Sequence, residues 1–165
     1  MKKYHIISGG IDSHSISDLA GFLNNNDGEL AISLNSTGGD GDLAVLAVKM
    51  LNENSDRIEL IMTTGCYSAA FKIFAKFKGK RSLVVGATGM FHYSFRQSSI
   101  DERKKIVFLE ERALAESSKQ AMQSTEEFAS LIMNDTEFAK FKKGKSVYFT
   151  FNRMKELFPD AEILE

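Results

Sequence analysis

A serine, a histidine and a glycine pair stand where nucleophilic chemistry would need them, each beside a change in the apolar pattern. Ser68 occurs in Gly65-Cys66-Tyr67-Ser68-Ala69-Ala70, after an apolar run at 58–62 and at the head of a helix-period stretch at 67–77. A serine at a strand-to-helix turn presents its hydroxyl at the edge of a sheet, and the following backbone N–H can help hold an oxyanion. Its ordinary alternative role is a helix N-cap. His92, in Gly89-Met90-Phe91-His92-Tyr93-Ser94, offers an imidazole, the usual base for a serine nucleophile; the alternative is a structural histidine. Gly38-Gly39 follows a strand and precedes a helix. Glycines permit unusual φ and close backbone approach, and a helix N-terminus has unpaired N–H groups, as an oxyanion hole requires. Cys66 is a second candidate nucleophile or a small buried hydrophobe. His5 and His14 have no comparable setting.

These residues need elements to position them. Strands are expected over 4–7, 29–34, 58–62, 83–85 and 90–91, and helices over 15–23, 43–51 and 67–77, the second of them buried. Strand and helix alternating at this spacing imply βαβ units, a largely parallel sheet and right-handed crossovers. The chemistry would lie where strands give way to helices. Beyond residue 94 the pattern changes. Ser99 and Glu102 have capping-box spacing, and a long C-terminal helix is expected over 100–133, with a break near Ser117-Ser118. A short strand over 147–150 and a helix over 152–157 close the chain.

With 165 residues, 43% of them apolar, the chain suits a single domain over 1–165 with a real core. The net charge is −1, from 21 basic and 22 acidic residues, which leaves no electrostatic case for nucleic acid or an anionic membrane as partner. One cysteine excludes an intrachain disulfide and suits a reducing compartment. The apolar run after the basic start is only Ile6-Ile7, too short for a signal peptide, and no run approaches the length of a membrane helix. A cytoplasmic protein with no membrane partner, cofactor or metal is the expectation.

The order and spacing of these landmarks resemble the ClpP family of serine peptidases. Asn35-Ser36-Thr37-Gly38-Gly39 stands for the family's Asn-Ser-Pro-Gly-Gly, and the interval from Gly39 to Ser68 matches. Lys78-Gly79-Lys80-Arg81 follows the nucleophile helix as in many members, the interval to His92 agrees, and Ser8-Gly9-Gly10-Ile11 fits the first strand and turn. The likeness covers about residues 4–94. It implies the α/β ClpP/crotonase-like fold: repeated ββα/βαβ units, a mainly parallel sheet and a long C-terminal helix. It also implies a serine peptidase in which Ser68 attacks the carbonyl and His92 moves the proton. The N–H groups of Gly39 and Ala69 would form the oxyanion hole, with Gly38 shaping its loop. A peptide or unfolded-protein substrate, a ring-shaped homo-oligomer and an ATPase unfoldase partner follow from the same likeness.

The chain departs from the pattern at the triad's acid. Asn134-Asp135-Thr136-Glu137 matches the segment that precedes it, but the family's position is Ala139, and no acidic residue lies between Glu137 and Glu156. Alignment from the final helix puts Ser146 at that site instead, and Asp135 and Glu137 are the candidates to substitute for the acid, Asp135 being the one taken as catalytic. A serine–lysine pair through Lys119, as in signal peptide peptidase relatives, is another route. The missing acid also opens a second reading, a catalytically weak or inactive homologue acting as an oligomeric scaffold or subunit. A third, an acyl-CoA enzyme of the crotonase branch, suits the paired N–H groups but not the Ser/His spacing or the short chain.

Overall fold

The structure is a computed structural model that describes residues 1–92, 120 and 122–165. They fall into two compact units, residues 1–91 with 148–165, and residues 92–147.

The first unit is built on parallel strands. Its elements run β1 (Lys3–Ile11), α1 (Ser13–Asn24), β2 (Leu30–Gly39), α2 (Gly41–Glu53), β3 (Ile58–Tyr67), α3 (Ala69–Lys76), β4 (Lys80–Val84) and β5 (Thr88–Phe91). The strands pair in the order β1-β2-β3-β4-β7, where β7 is Glu162–Leu164, and β5 pairs with β3; all of these pairings are parallel. Leu30, Ile32 and Leu34 of β2 stand opposite Ile58, Leu60 and Met62 of β3, and all are buried. Period-2 alternation puts each set on one face, where α1 packs on β1 and α3 on β2 and β3. This is the α/β fold with a mainly parallel sheet that the sequence implies.

One feature of β3 matters for the site. Its first half, Glu59–Met62, pairs with β4, and its second half, Gly65–Tyr67, pairs with β5. β5 thus takes over the edge of β3 where that strand approaches Ser68.

Several boundaries differ from expectation. β2 continues through Asn35–Gly39 and β3 through Thr63–Tyr67, stretches whose polar and glycine content reads as turn. Neighbouring strands supply the backbone partners that keep them extended. α2 is not wholly buried: Ala44, Ala47 and Leu51 face inward, while Val45 is 65% and Leu46 44% exposed. A helix packed on one side buries a single stripe, whatever its overall apolarity.

The second unit contains a helix over 122–132, here α4, and α5 (Asp135–Lys142). Glu126 and Lys142 join them at 2.7 Å. The expected long helix lies partly outside the described residues, as do its predicted break and Lys119. The chain closes with β6 (Val147–Phe149), α6 (Phe151–Leu157) and β7 (Glu162–Leu164). β7, three residues at the sheet's edge beside β4, has no periodicity by which sequence could announce it. No helix among the described residues is long and apolar enough to cross a membrane.

On the sheet face away from α3, Glu59 is a buried carboxylate. It accepts from Lys2 Nζ and from Ser82 Oγ (2.5 Å), with Lys80 Nζ at 3.4 Å. Burial by itself raises its pKa, but the bonds from Lys2 and Ser82 and the charges of Lys2 and Lys80 outweigh it and pull the pKa down to about 2. A carboxylate with a depressed folded pKa adds stability above its unfolded value, and that stability is lost as pH falls towards the folded one. The contribution is about 3 kcal/mol near neutrality. Glu59→Gln is therefore expected to melt well below wild type at pH 6, with the gap closing as pH falls from 5 towards 2. A gap that stays constant over that range, followed by circular dichroism, would refute the assignment.

Candidate active site

β3 ends at Tyr67, α3 begins at Ala69, and Ser68 alone makes the corner. Its backbone has φ 55° and ψ −119°, and among the described residues it is the one non-glycine with positive φ. Such a conformation costs on the order of 1–3 kcal/mol and persists only where the surroundings over-determine it. Here they do: the Ser68 N–H donates to Met90 O at 2.8 Å, and its carbonyl accepts from Lys72 N at 3.2 Å. The side chain makes no capping bond to α3, unlike Asp12, Asp40, Asn134 and Thr150 on their helices. N-capping therefore does not account for a serine at this corner.

Gly38 closes under the corner from β2. With φ +94°, its added Cβ would lie 2.6 Å from Tyr67 O, 2.8 Å from Ser68 Cβ and 3.1 Å from Ala69 N. The Gly38 N–H is committed to Ser36 Oγ (3.1 Å), which itself donates to Gly9 O (2.6 Å). Ser36 is thus a buried link between β1 and the glycine loop. Gly39, with φ +149°, lies against Ile11 of β1, whose carbonyl its Cβ would overlap. Each glycine is required by a different neighbour. The structure brings Gly38, Ser68 and Ala69 together, with Gly39 one residue further along the same strand.

β5 runs parallel to β3 with Tyr67 opposite Met90. His92, half-buried, follows Phe91 at the end of β5, two residues after the carbonyl that holds the Ser68 N–H. Asp135 is the exposed first residue of α5. Its neighbours Asn134 and Glu137 form a capping box, each side chain accepting from the other's backbone N–H at 2.9 Å. An acidic residue in a helix's first turn also complements the macrodipole. A shallow depression at Asp135 is lined by Thr136, Lys140, Lys143 and Lys145.

Cys66 points into the core. It is fully buried, its Sγ lies 3.5 Å from Leu34 O, and burial pushes its pKa up. A thiol held protonated in this way is a poor nucleophile. Tyr67, on the other face, bonds Thr88 Oγ1 through its hydroxyl at 3.0 Å, and its ring fills the space that a side chain at Gly65 would need. His5 stacks on Phe22, and His14 faces Asp18 one turn along α1. Among the described residues no group of His, Cys, Asp and Glu could hold a metal ion.

One residue that holds the corner's glycine loop escaped the sequence reading: Ser36, hidden inside the glycine motif.

No family model matches the chain, and no curated protein matches it. Solved structures do. A ClpP1 point mutant from Listeria monocytogenes superposes with a TM-score of 0.71 at 16% identity, covering 98% of this chain and 91% of its own. At that identity the likeness shows the fold, which is ClpP-like.

Proposed function

We propose that this chain is a serine hydrolase that cleaves peptide bonds through an acyl-enzyme on Ser68, with His92 as base. The observation that carries this is the strained Ser68 corner: a non-glycine residue held at positive φ, with a side chain that does not cap its helix. Ser68 Oγ attacks the carbonyl carbon as His92 takes its proton. The imidazolium returns that proton to the leaving amine, and water then releases the acyl group. As first residue of α3, Ala69 has an N–H without an intrahelical partner. With the Gly39 N–H it forms the oxyanion hole, and Gly38 sets the loop. Asp135 is the acid assigned to orient His92. A homo-oligomer, a peptide or unfolded-chain substrate and an unfoldase partner belong to the same reading, supported by the ClpP-like fold.

The test is labelling of the purified protein with a fluorophosphonate, the adduct being located by mass spectrometry. An adduct on Ser68, absent in Ser68→Ala and slowed about a hundredfold or more in His92→Ala, is the expected outcome. Asp135→Asn should slow it further if that carboxylate orients His92. The exposed capping-box setting of Asp135 favours a second reading, a non-catalytic scaffold subunit. A folded, assembled protein that forms no adduct would establish that reading instead.

A further inference from the structure

β1 and β2 slip against each other just before the glycine pair. Gly9 stands opposite Ser36, Gly10 opposite Gly38 and Ile11 opposite Gly39, so Thr37 is an extra residue on β2. An extra residue disrupts the ladder locally, and the backbone groups it displaces need other partners. Here a side chain supplies them. Ser36 is buried in β2. Its Oγ accepts from the Gly38 N–H at 3.1 Å and donates to Gly9 O at 2.6 Å. One hydroxyl thus ties the two strands together across the slip.

The slip decides which way the next N–H points. The Asp40 N–H donates to Ile11 O at 2.9 Å, so it faces β1. Successive N–H groups along a strand point to opposite edges. The Gly39 N–H therefore turns to the other edge of β2, the edge that β3 occupies and that leads to Ser68. Gly38 lies hard against that corner: its added Cβ would stand 2.8 Å from Ser68 Cβ and 3.1 Å from Ala69 N. With the Gly38 N–H held by a hydroxyl that is itself bonded to β1, the Gly39 N–H is the one left to face the corner.

A buried serine hydroxyl ordinarily does no more than satisfy nearby backbone groups. Two things set Ser36 apart. The N–H it holds is next in the chain to the N–H assigned to the oxyanion hole, and the loop it holds packs on the nucleophile's own corner. Oxyanion donors act only within about 2.7–3.1 Å of the developing charge, so a small shift of Gly39 costs rate.

We propose that Ser36 is a positioning residue of the oxyanion hole: its hydroxyl fixes the slip that turns the Gly39 N–H towards the Ser68 corner. The assignment rests on the reading of Ser68 as nucleophile. Ser36 acts through the glycine loop and exchanges no proton with substrate.

Two quantities from one labelling experiment test it: the rate of fluorophosphonate adduct formation on Ser68 and the final fraction labelled. Ser36→Ala removes the hydroxyl and frees the loop. It is expected to label roughly tenfold or more slowly, yet to reach the wild-type end point. Ser36→Thr keeps the hydroxyl and should label at close to the wild-type rate. A merely structural serine would behave differently: Ser36→Ala would hold less folded protein, which lowers the end point, while the folded fraction labelled at the wild-type rate. A wild-type rate in Ser36→Ala therefore overturns the proposal and leaves Ser68 as nucleophile. Equal slowing of Ser36→Ala and Ser36→Thr overturns it too, since the hydroxyl would not be what matters. If Ser36→Ala does not fold, Ser36→Cys reads the same two quantities. A thiol nearly fills the space but is a weak donor and acceptor, so slow labelling to a full end point is again expected, and a wild-type rate again refutes the role. No adduct on the wild type overturns the hydrolase reading and this assignment together.

Discussion

Replacing Ser68 with glycine is expected to stabilise the protein while abolishing covalent labelling. The serine sits at φ 55°, ψ −119°, a conformation that costs a residue with a Cβ on the order of 1–3 kcal/mol. Glycine removes that strain, at the expense of a more flexible unfolded chain worth roughly 0.5–1 kcal/mol. The balance favours the variant by about 1 kcal/mol, a rise of about 2–4 °C in Tm for a chain of this size. A stability gain coupled to total loss of the adduct is the signature of a residue kept for chemistry at a structural cost. A fall of several degrees in calorimetry would show instead that the hydroxyl holds the corner together, and would remove the strongest reason for reading Ser68 as a nucleophile.

Gly38→Ala should do the reverse. The residue has φ +94°, and an alanine Cβ would meet Tyr67 O at 2.6 Å and Ser68 Cβ at 2.8 Å. Neither neighbour can yield freely, because one is strand backbone and the other belongs to a corner pinned by Met90 and Lys72. Left-handed strain alone costs about 1–2 kcal/mol, and overlap with backbone brings the total to about 3 kcal/mol or more, in the range of overpacked interiors. Against a typical stability of about 5–15 kcal/mol, a Tm loss of about 6–12 °C is expected. Labelling of Ser68 should fall even below the melting point, since the displaced loop would move the corner. Gly28→Ala is the control: nothing lies within 4 Å of its added Cβ, and it should melt near wild type. Similar melting of Gly38→Ala and Gly28→Ala would mean that β2 does not close under Ser68.

Some of the site was legible because its cues are local. Asn134 and Glu137 lie three apart, and that spacing is a capping box; sequence alone could have given Asp135 a helix-start setting beside its expected catalytic one. The backbone of Ser68 was not. Its positive φ follows from Met90 across the sheet and from Gly38 beneath it, residues 22 and 30 positions away by the numbering.

The sequence by itself determined that this is an α/β chain with a parallel sheet, because alternating Leu30, Ile32 and Leu34 and helix-period Ile16, Leu19 and Leu23 report which side of each element is apolar. It also marked where strands give way to helices, at Gly38-Gly39 and Ser68. Only the tertiary structure decided that β2 and β3 run on through their polar ends, that Cys66 turns into the core while Ser68 makes the corner, and that Gly38 lies beneath it. Apolar periodicity is a property of one segment at a time. Strand extension, positive φ and close backbone approach are set by partners distant in the chain, and those exist only once the sheet has formed.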